Sequence, residues 1–294
     1  MPMIDQFLNY LRYERNMSSQ TIIRYEQALR TFQTFMVELD SQLNWQTVDA
    51  DVIRDWMEQL LDKGAKVSTV NTNLSALRSF YKFALIRKMV ERDPAHMIVG
   101  PKKSKPLPQF LREGEMDQLL DKVEWGDTYK DVRARTLLLL FYETGIRLSE
   151  LIGLDDVDVD FAGRQLKVTG KRDKQRVIPF GEELAAELKR FMELRDEKVA
   201  KQSPAVFLTE KGERMSKSQV HYVVHKHLSR VTTLKKRSPH VLRHTFATAM
   251  LNHKAGLESV KKLLGHESLE TTEIYTHTTF EQLKRVYKEA HPRA

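Results

Sequence analysis

Four prolines occur in the stretch DPAHMIVGPKKSKPLPQF, residues 93–110, together with one glycine and three lysines. Proline lacks a backbone N–H and breaks helices, and the stretch shows neither a helical nor a strand period. We therefore predict a basic linker over residues 89–108 that separates two domains. A linker of this kind could help to close a clamp around a polyanionic duplex, or it could serve only as a tether.

Helical patterns fill the first domain, which we place at residues 1–88. Ser18 or Ser19, Asp49 or Asp51, and Ser68 carry side chains that are preferred at helix N-caps. Four short helices of this type predict a small bundle. The apolar positions that recur at helical spacing are Ile4, Phe7, Leu8 and Leu11; Ile22, Tyr25, Leu29, Phe32 and Met36; Ile53, Trp56, Met57, Leu60 and Leu61; and Val70, Leu74, Leu77, Tyr81 and Ala84.

The second domain, residues 109–294, has a mixed pattern. An apolar helix is predicted over residues 132–143 and should end at Gly145. Residues 156–180 alternate apolar and polar side chains around two turn signals, which predicts an antiparallel sheet of about three strands. From Glu182 onward the chain should be helical apart from short loops. The predicted fold class is mainly α, with an N-terminal helical domain and a C-terminal mixed helical domain that carries a small antiparallel β-sheet.

Charge is unevenly distributed along the chain. The net charge is +8, but residues 1–60 carry five basic against nine acidic side chains, a sum of −4, and residues 61–105 carry ten against three, a sum of +7. A basic stretch of this kind can contact phosphates, or it can be an ordinary solvated face. The candidate DNA-contacting residues are Lys82, Arg87, Lys88, Lys102, Lys103 and Lys105.

Composition excludes several classes of protein. The chain has no cysteine, which excludes disulfides and thiolate metal sites. No apolar run approaches the roughly 20 residues that a membrane helix needs, so we expect no membrane partner. Asp5 lies where a secretory signal would place apolar residues. These observations predict a soluble, cytoplasmic protein.

The segment SPHVLRH, residues 238–244, can hold an anion at the start of a helix. Ser238 is the predicted N-cap, His240 opens the helix, and Arg243 follows on the same face. Free backbone N–H groups and the helix dipole favour an anionic oxygen at that position. His244 lies at i+4 from His240, as in zinc sites, but the Glu that zinc proteases place after the first His is absent and Arg243 would repel a cation. We therefore predict no metal, and a packing or helix-side role for His244.

A lone tyrosine or arginine would indicate nothing, because such residues commonly pack on helices. Here six residues of the second domain form an ordered set. They are Arg147 in TGIRLSEL, Lys171 in TGKRDKQR, His240 and Arg243 in SPHVLRHT, His266 in LLGHES and Tyr275 in TTEIYTH. In order and spacing this set resembles the tyrosine recombinase (phage integrase-like) family, and its Xer subgroup in particular. The resemblance covers essentially the whole chain.

The resemblance implies a core-binding, DNA-contacting first domain and a catalytic second domain. Tyr275 would be the nucleophile that attacks a phosphodiester and forms a covalent 3′-phosphotyrosyl link, with His240 as its base. Lys171, in a hairpin turn, would protonate the leaving 5′-oxygen. Because the covalent link conserves the bond energy, rejoining would need no ATP, metal or other cofactor.

Three further residues would act through charge. Arg147 and Arg243 each present a planar, permanently charged guanidinium to the non-bridging phosphate oxygens, and His266 can add a donor. Glu150, three residues after Arg147, is expected to orient basic partners, or else to form a simple helix-face salt bridge.

Two positions depart from the family pattern. Arg172 stands where the hairpin turn often has glycine, so this turn should be less tight. Gly256 stands where many relatives have an acidic helix cap, which should modestly weaken the start of that helix.

The resemblance also implies partners. It implies a tetramer on double-stranded DNA recombination sites, and a sister recombinase and a septal DNA translocase in chromosome dimer resolution. The amphipathic tail, residues 279–294, is expected to dock into a neighbouring subunit, although it could fold back on its own domain. Alternative functions are a mobile-element integrase or DNA invertase, DNA relaxation of the type IB topoisomerase kind, and a non-enzymatic helical DNA-binding protein. The complete set of six residues argues against the last, because binding alone needs no nucleophile.

Overall fold

The computed structural model describes residues 3–103, 108–170, 174–265 and 277–294, with backbone only at 277–281. The chain divides into two compact units, Met1–Pro106 and Leu107–Ala294. Within the described ranges, no helix is both long enough and apolar enough to cross a bilayer.

All regular secondary structure in the described part of the first unit is helical. Its helices are α1 Met3–Asn9, which continues in a π-helical turn at Tyr10–Glu14, α2 Ser19–Leu39, α3 Ala50–Asp62 and α4 Val67–Ile86.

Local capping chemistry explains where two of these helices begin. The Ser18 hydroxyl accepts the Thr21 N–H at 3.3 Å, and the Asp49 carboxylate caps α3, both as predicted. The predicted cap at Ser68 is wrong, because the backbone becomes helical earlier and the Lys66 carbonyl already accepts the first N–H groups of α4.

An aromatic cluster forms the core of this unit. Phe32 and Trp56 lie 4.9 Å apart between ring centroids, and Trp45 and Phe80 lie 4.5 Å apart. Nearly all positions predicted from helical spacing are buried or half-buried in this core. Leu61 is the exception, at 36% exposed, because it lies in the last turn of α3, beyond the residues that pack inward.

The segment predicted as a linker is in part a folded piece of the first unit. Val90, Ala95 and Ile98 are buried in its core. The Arg78 guanidinium donates to the carbonyls of Ala95 and Ile98 and so holds the segment against α4. These apolar residues follow no regular period, which is why the sequence pattern did not reveal their packing.

The second unit surrounds the buried helix α6. Residues 136–146 are all buried, as expected for a helix that is apolar on every side. Its helices are α5 Glu113–Asp117, continued by a π-helical turn at Gln118–Lys122, α6 Tyr129–Thr144, α7 Leu148–Gly153, α8 Glu182–Lys198, α9 Lys217–Leu228, α10 Pro239–Asn252, α11 Leu257–Leu264 and α12 His277–Ala290.

A three-stranded antiparallel sheet lies between α7 and α8 in sequence, as predicted. Strand β1 is Val159–Asp160, β2 is Gln165–Thr169 and β3 is Gln175–Pro179, in the order β1-β2-β3. Leu166 pairs with Val159 on one side and with Ile178 on the other. This register places the apolar side chains on the face that packs into the unit.

Residues 199–216 are longer and less regular than the short loops predicted after Glu182. They contain isolated β-bridges that pair Asp155 with Ala205 and Leu208 with Arg214. The apolar run 205–208 is buried in the core. A run this short cannot be assigned to helix or strand from periodicity alone.

The C-terminal helix α12 packs on its own unit, with Leu283 and Tyr287 buried against α10 and α11. The Tyr287 hydroxyl donates to Oε2 of the buried Glu143 carboxyl group at 3.1 Å, and Arg293 pairs with Glu183 at 2.9 Å. Docking of the tail into a neighbouring subunit concerns an assembly on DNA and stays a prediction. The chain's own domain supplies both an apolar cleft and polar partners for the tail.

The Glu143 contact predicts how stability depends on pH. Burial raises the pKa of Glu143 to about 8, against the opposing hydrogen bonds from Gly181 N–H and Tyr287. The folded state therefore holds a proton that the unfolded chain releases near its ordinary pKa, so stability falls as pH rises towards 8. Burial also lowers the pKa of His291 to about 4, which affects stability only at more acidic pH.

We expect thermal melts between pH 6.5 and 8.5 to show wild type losing stability relative to Glu143→Gln, by an amount on the order of one or two kcal/mol. Parallel melting curves for the two proteins over this range would contradict a protonated Glu143.

Candidate active site

Arg147 is positioned by the sharp end of α6. Gly145 ends the helix with a left-handed backbone, φ +56°, and a Cβ there would meet Phe246 Cδ1 at 2.5 Å. Glycine is therefore required on both conformational and steric grounds. Arg147 follows as the N-cap of α7, and Glu150 accepts its backbone N–H at 2.9 Å. The Arg147 side chain is about one-third exposed.

Glu150 is fully buried between two arginines. It accepts a hydrogen bond from Arg147 Nη1 at 2.8 Å. It also accepts hydrogen bonds from both Nη atoms of Arg176, which form a bidentate ion pair with the carboxylate. Burial alone would raise the pKa of Glu150, but the ion pairs with Arg176 and Arg147 outweigh it and hold the pKa below its usual value. Glu150 is therefore a buried carboxylate that orients both arginines, and its contacts go well beyond a helix-face salt bridge.

Arg243 projects from the first turns of α10 into the same region. It donates through Nη1 to the Gly145 carbonyl and through Nη2 to the Leu264 carbonyl, both at 2.6 Å. Burial, together with the positive charge of Arg147, lowers the pKa of Arg243 to about 9, so it stays charged at neutral pH.

His240 lies one turn before Arg243 on α10, which begins at Pro239 after the extended residue Ser238, as predicted. Burial of part of the ring lowers the pKa of His240, and the nearby His244 and Arg243 lower it further. The imidazole is therefore neutral at pH 7 and can accept a proton.

Arg147, His240 and Arg243 open onto one groove of about 700 Å³, which we call the cationic groove. His244 is exposed in it, which fits the helix-side role expected for this side chain and not the alternative packing role. No carboxylate lies among the described residues that line it. The lining residues are Arg147, Leu148, Ser149, Lys217, His240, Arg243, His244, Ala247, Leu251, Leu257, Val260, Lys261 and Leu264. A lining of this charge suits a phosphodiester.

Three of the predicted site residues, Lys171, His266 and Tyr275, lie outside the described residues, as do Arg172 and Lys105. The residues that directly precede Lys171 and His266 are described, and they show where these two segments begin. An added Cβ on Gly170 would lie 3.3 Å from Glu150 Oε1, so the turn that carries Lys171 starts beside Glu150. Gly265, which precedes His266, accepts a hydrogen bond from Arg147 Nη2.

Sequence reasoning missed Arg176, Lys217 and Lys261. Arg176 did leave a signal, because it lies on β3 in phase with the buried Ile178, where a charged side chain needs a buried partner. The two lysines left none, since exposed lysines on helices are common. Gly256 is the N-cap of α11 and has no side chain with which to cap it. The weakened helix start stays a prediction.

Among the described residues, no group of three His, Cys, Asp or Glu side chains is arranged to hold a metal ion.

The candidate DNA-contacting residues of the first unit are exposed where the structure describes them: Lys82, Lys88, Lys102 and Lys103. Arg87 is exposed too, but it pairs with Glu14 at 2.7 Å.

Comparison with known proteins gives matches over both units. Residues 109–282 match the phage integrase family, and residues 4–88 match the N-terminal SAM-like domain of phage integrases. The chain is 37% identical to "Tyrosine recombinase XerC" of Chlorobaculum tepidum, over 99% of this chain and 94% of that protein. It is 39% identical to the protein of the same name from Halalkalibacterium halodurans, over 99% and 97%.

Solved structures share the fold. The XerH site-specific recombinase bound to a palindromic difH substrate superposes with a TM-score of 0.72 at 23% identity, over 96% of this chain and 83% of that chain. The Tn1549 transposon integrase in complex with circular intermediate DNA superposes with a TM-score of 0.71 at 19% identity, over 96% and 98%.

Proposed function

The chain belongs to the phage integrase family and is a tyrosine recombinase of the Xer subgroup. We propose that it cuts and rejoins DNA through a covalent 3′-phosphotyrosyl intermediate on Tyr275. The observation that carries the proposal is the cationic groove, in which Arg147, Arg243 and a neutral His240 share a lining free of carboxylates among the described residues. An SDS-resistant DNA adduct of the wild-type protein, absent from Tyr275→Phe, tests it.

In the proposed cleavage step, the Tyr275 hydroxyl oxygen attacks phosphorus. A P–O(Tyr) bond forms, the P–O5′ bond breaks, the tyrosine proton passes to His240, and Lys171 gives a proton to the leaving 5′-oxygen. A 5′-hydroxyl from another strand reverses these transfers and completes the exchange. One phosphodiester is formed for each one broken, so no external energy source is needed.

The arginines supply the charge for this step. A guanidinium has five N–H donors. Arg147 and Arg243 each use two in the hydrogen bonds described above, which leaves three on each for phosphate oxygens. Preorganised donors of this kind act where negative charge develops in the transition state, and they are usually the largest contribution to phosphoryl transfer. His266 would add one further donor.

We propose chromosome dimer resolution as the biological task, carried out in the cytoplasm by a recombinase tetramer on DNA, with a sister recombinase and a septal DNA translocase as partners. Support comes from curated relatives named XerC that match over nearly the whole length of both chains. We further propose that in this tetramer the C-terminal tail, residues 279–294, docks into a neighbouring subunit, whereas in the single chain it packs on its own domain.

Cleavage should persist in excess EDTA. The described part of the groove presents cations where a metal-dependent nuclease would place carboxylates. Adduct formation on a nicked duplex should proceed at the same rate in EDTA and in Mg²⁺. Loss of the adduct in chelator, with recovery on adding Mg²⁺ or Zn²⁺, would contradict the proposed chemistry.

The basic segment before the second unit should contribute to DNA affinity. If Lys102, Lys103 and Lys105 contact phosphates, replacing all three with Gln should reduce the slope of log K against log salt by about 2 to 3. A control variant with Gln at the exposed residues Lys189, Lys198 and Lys211 should keep the wild-type slope. An unchanged slope in the first variant would show that the segment only tethers the domains.

A further inference from the structure

The C-terminal end of α11 is held by arginines. The last carbonyls of any helix have no partner within the helix and need outside donors. Here three consecutive carbonyls each receive an N–H from a different guanidinium. The pairs are Leu263 with Arg176 Nε at 3.2 Å, Leu264 with Arg243 Nη2 at 2.6 Å, and Gly265 with Arg147 Nη2.

Arg176 differs from the other two arginines. Its side chain is only 9% exposed, and it is not among the residues that line the cationic groove. Both of its Nη atoms bind Glu150, and its Nε binds the Leu263 carbonyl. Because Arg176 is buried and does not line the groove, we assign it no contact with a phosphate there.

The contacts of Glu150 link Arg176 to Arg147. Glu150 Oε1 accepts from Nη1 of both arginines, and Oε2 accepts from Arg176 Nη2 and from the Arg147 backbone N–H. The carboxylate that Arg176 fixes thus sets both the backbone and the guanidinium of Arg147. A misplacement of about 1 Å at such a group can lower a rate about 100-fold.

The packing of Gly265 supports the same role from the other side. Its backbone is left-handed, φ +64°, and an added Cβ would lie 3.1–3.3 Å from Cδ, Nε and Cζ of Arg176. The residue that leads directly to His266 therefore rests on the Arg176 side chain.

We propose that Arg176 is a positioning residue for strand cleavage, which holds Glu150 and through it Arg147, and which fixes the end of α11 from which the chain continues to His266 and Tyr275. This inference rests on the proposed function. Lysine cannot replace Arg176, because a single ammonium cannot bind both Glu150 oxygens and the Leu263 carbonyl in the same geometry.

Single-turnover adduct formation on a nicked duplex tests the proposal, with Arg176→Lys compared with Arg195→Lys. Arg195 is the matched control, since it is fully buried and forms a bidentate pair with Asp156 at 2.7 and 3.0 Å, outside the groove. Rates are taken at a temperature at which both variants keep the wild-type circular dichroism. Arg176→Lys should cleave about 100-fold more slowly, and Arg195→Lys should stay close to wild type.

Two readouts separate positioning from general stability. In an Arg147→Lys background, Arg176→Lys should lower the rate far less than in wild type, because both changes disable the same unit. In Arg176→Gln, the buried Glu150 loses its main counter-charge and its pKa rises, so the acid limb of the pH–rate profile should move to higher pH.

The outcomes distinguish this inference from the function on which it rests. Full-rate cleavage by Arg176→Lys, or additive effects of the two lysine changes, would overturn the positioning role and leave the recombinase proposal intact. Absence of any adduct from wild type and from Arg195→Lys would overturn the proposed function and the positioning role together.

Discussion

Replacing Tyr275 with phenylalanine should abolish covalent attachment to DNA and leave DNA binding nearly unchanged. Only a hydroxyl is lost, and that hydroxyl is the proposed nucleophile. Among the described residues that line the groove, only Ser149 carries a hydroxyl that could form a comparable phosphodiester link. SDS gels of a labelled nicked duplex measure the adduct, and gel shifts on the same duplex measure binding.

Tyr222→Phe is the matched control for this experiment. Tyr222 lies in α9, is 68% exposed and does not line the cationic groove. The control should form the adduct at the wild-type rate. If Tyr275→Phe still gave an SDS-stable adduct, the assignment of the nucleophile would be wrong.

Replacing Arg147 with alanine should lower the single-turnover rate of adduct formation by at least about 100- to 1,000-fold, since that is the usual effect of removing even one donor from a preorganised oxyanion site. The loss should fall on the rate of the chemical step and much less on DNA affinity, because a single phosphate contact contributes little to total binding. Arg147 is only partly buried, so the variant should remain folded.

Arg214→Ala provides the control for Arg147. The two side chains are almost equally exposed, at 32% and 34%, and each forms an ion pair, Arg214 with Asp155. Arg214 lies outside the groove lining. Equal rate losses in the two variants would show that the effect of Arg147→Ala reflects stability and not catalysis.

Features set by neighbours in sequence could be predicted. Ser18 and Asp49 cap the helices that follow them, and Gly145 ends α6, because each of these depends on only a few residues. Helical spacing in the first domain and alternation around the sheet identified most of the core for the same reason.

Features set by distant residues could not be predicted. Arg176 meets Glu150 and Leu263, which lie 26 and 87 residues away in the chain. The tail packs on its own domain in part because Tyr287 finds Glu143, 144 residues earlier. No local sequence pattern encodes such pairs. The only available signal was the charged Arg176 at an inward-facing position of β3, which indicates that it needs a buried partner.

The candidate site also combines features that the sequence predicted with features that depend on distant contacts. Motif resemblance placed Arg147, His240 and Arg243 at one site, and the structure brings these three to one groove. The resemblance did not indicate that two of these arginines also hold the end of α11, because that contact depends on where α11 ends. Lys171, His266 and Tyr275 remain predictions from the sequence.

Mapping the covalent adduct tests the central claim most directly. Wild-type protein is incubated with nicked genomic fragments, denatured and digested, and the DNA-linked peptide and its attached DNA end are identified by mass spectrometry and sequencing. The proposed mechanism predicts one modified peptide, with Tyr275 joined to a 3′-phosphate and a free 5′-hydroxyl on the released strand. A link to another residue, or to a 5′-phosphate, would contradict it.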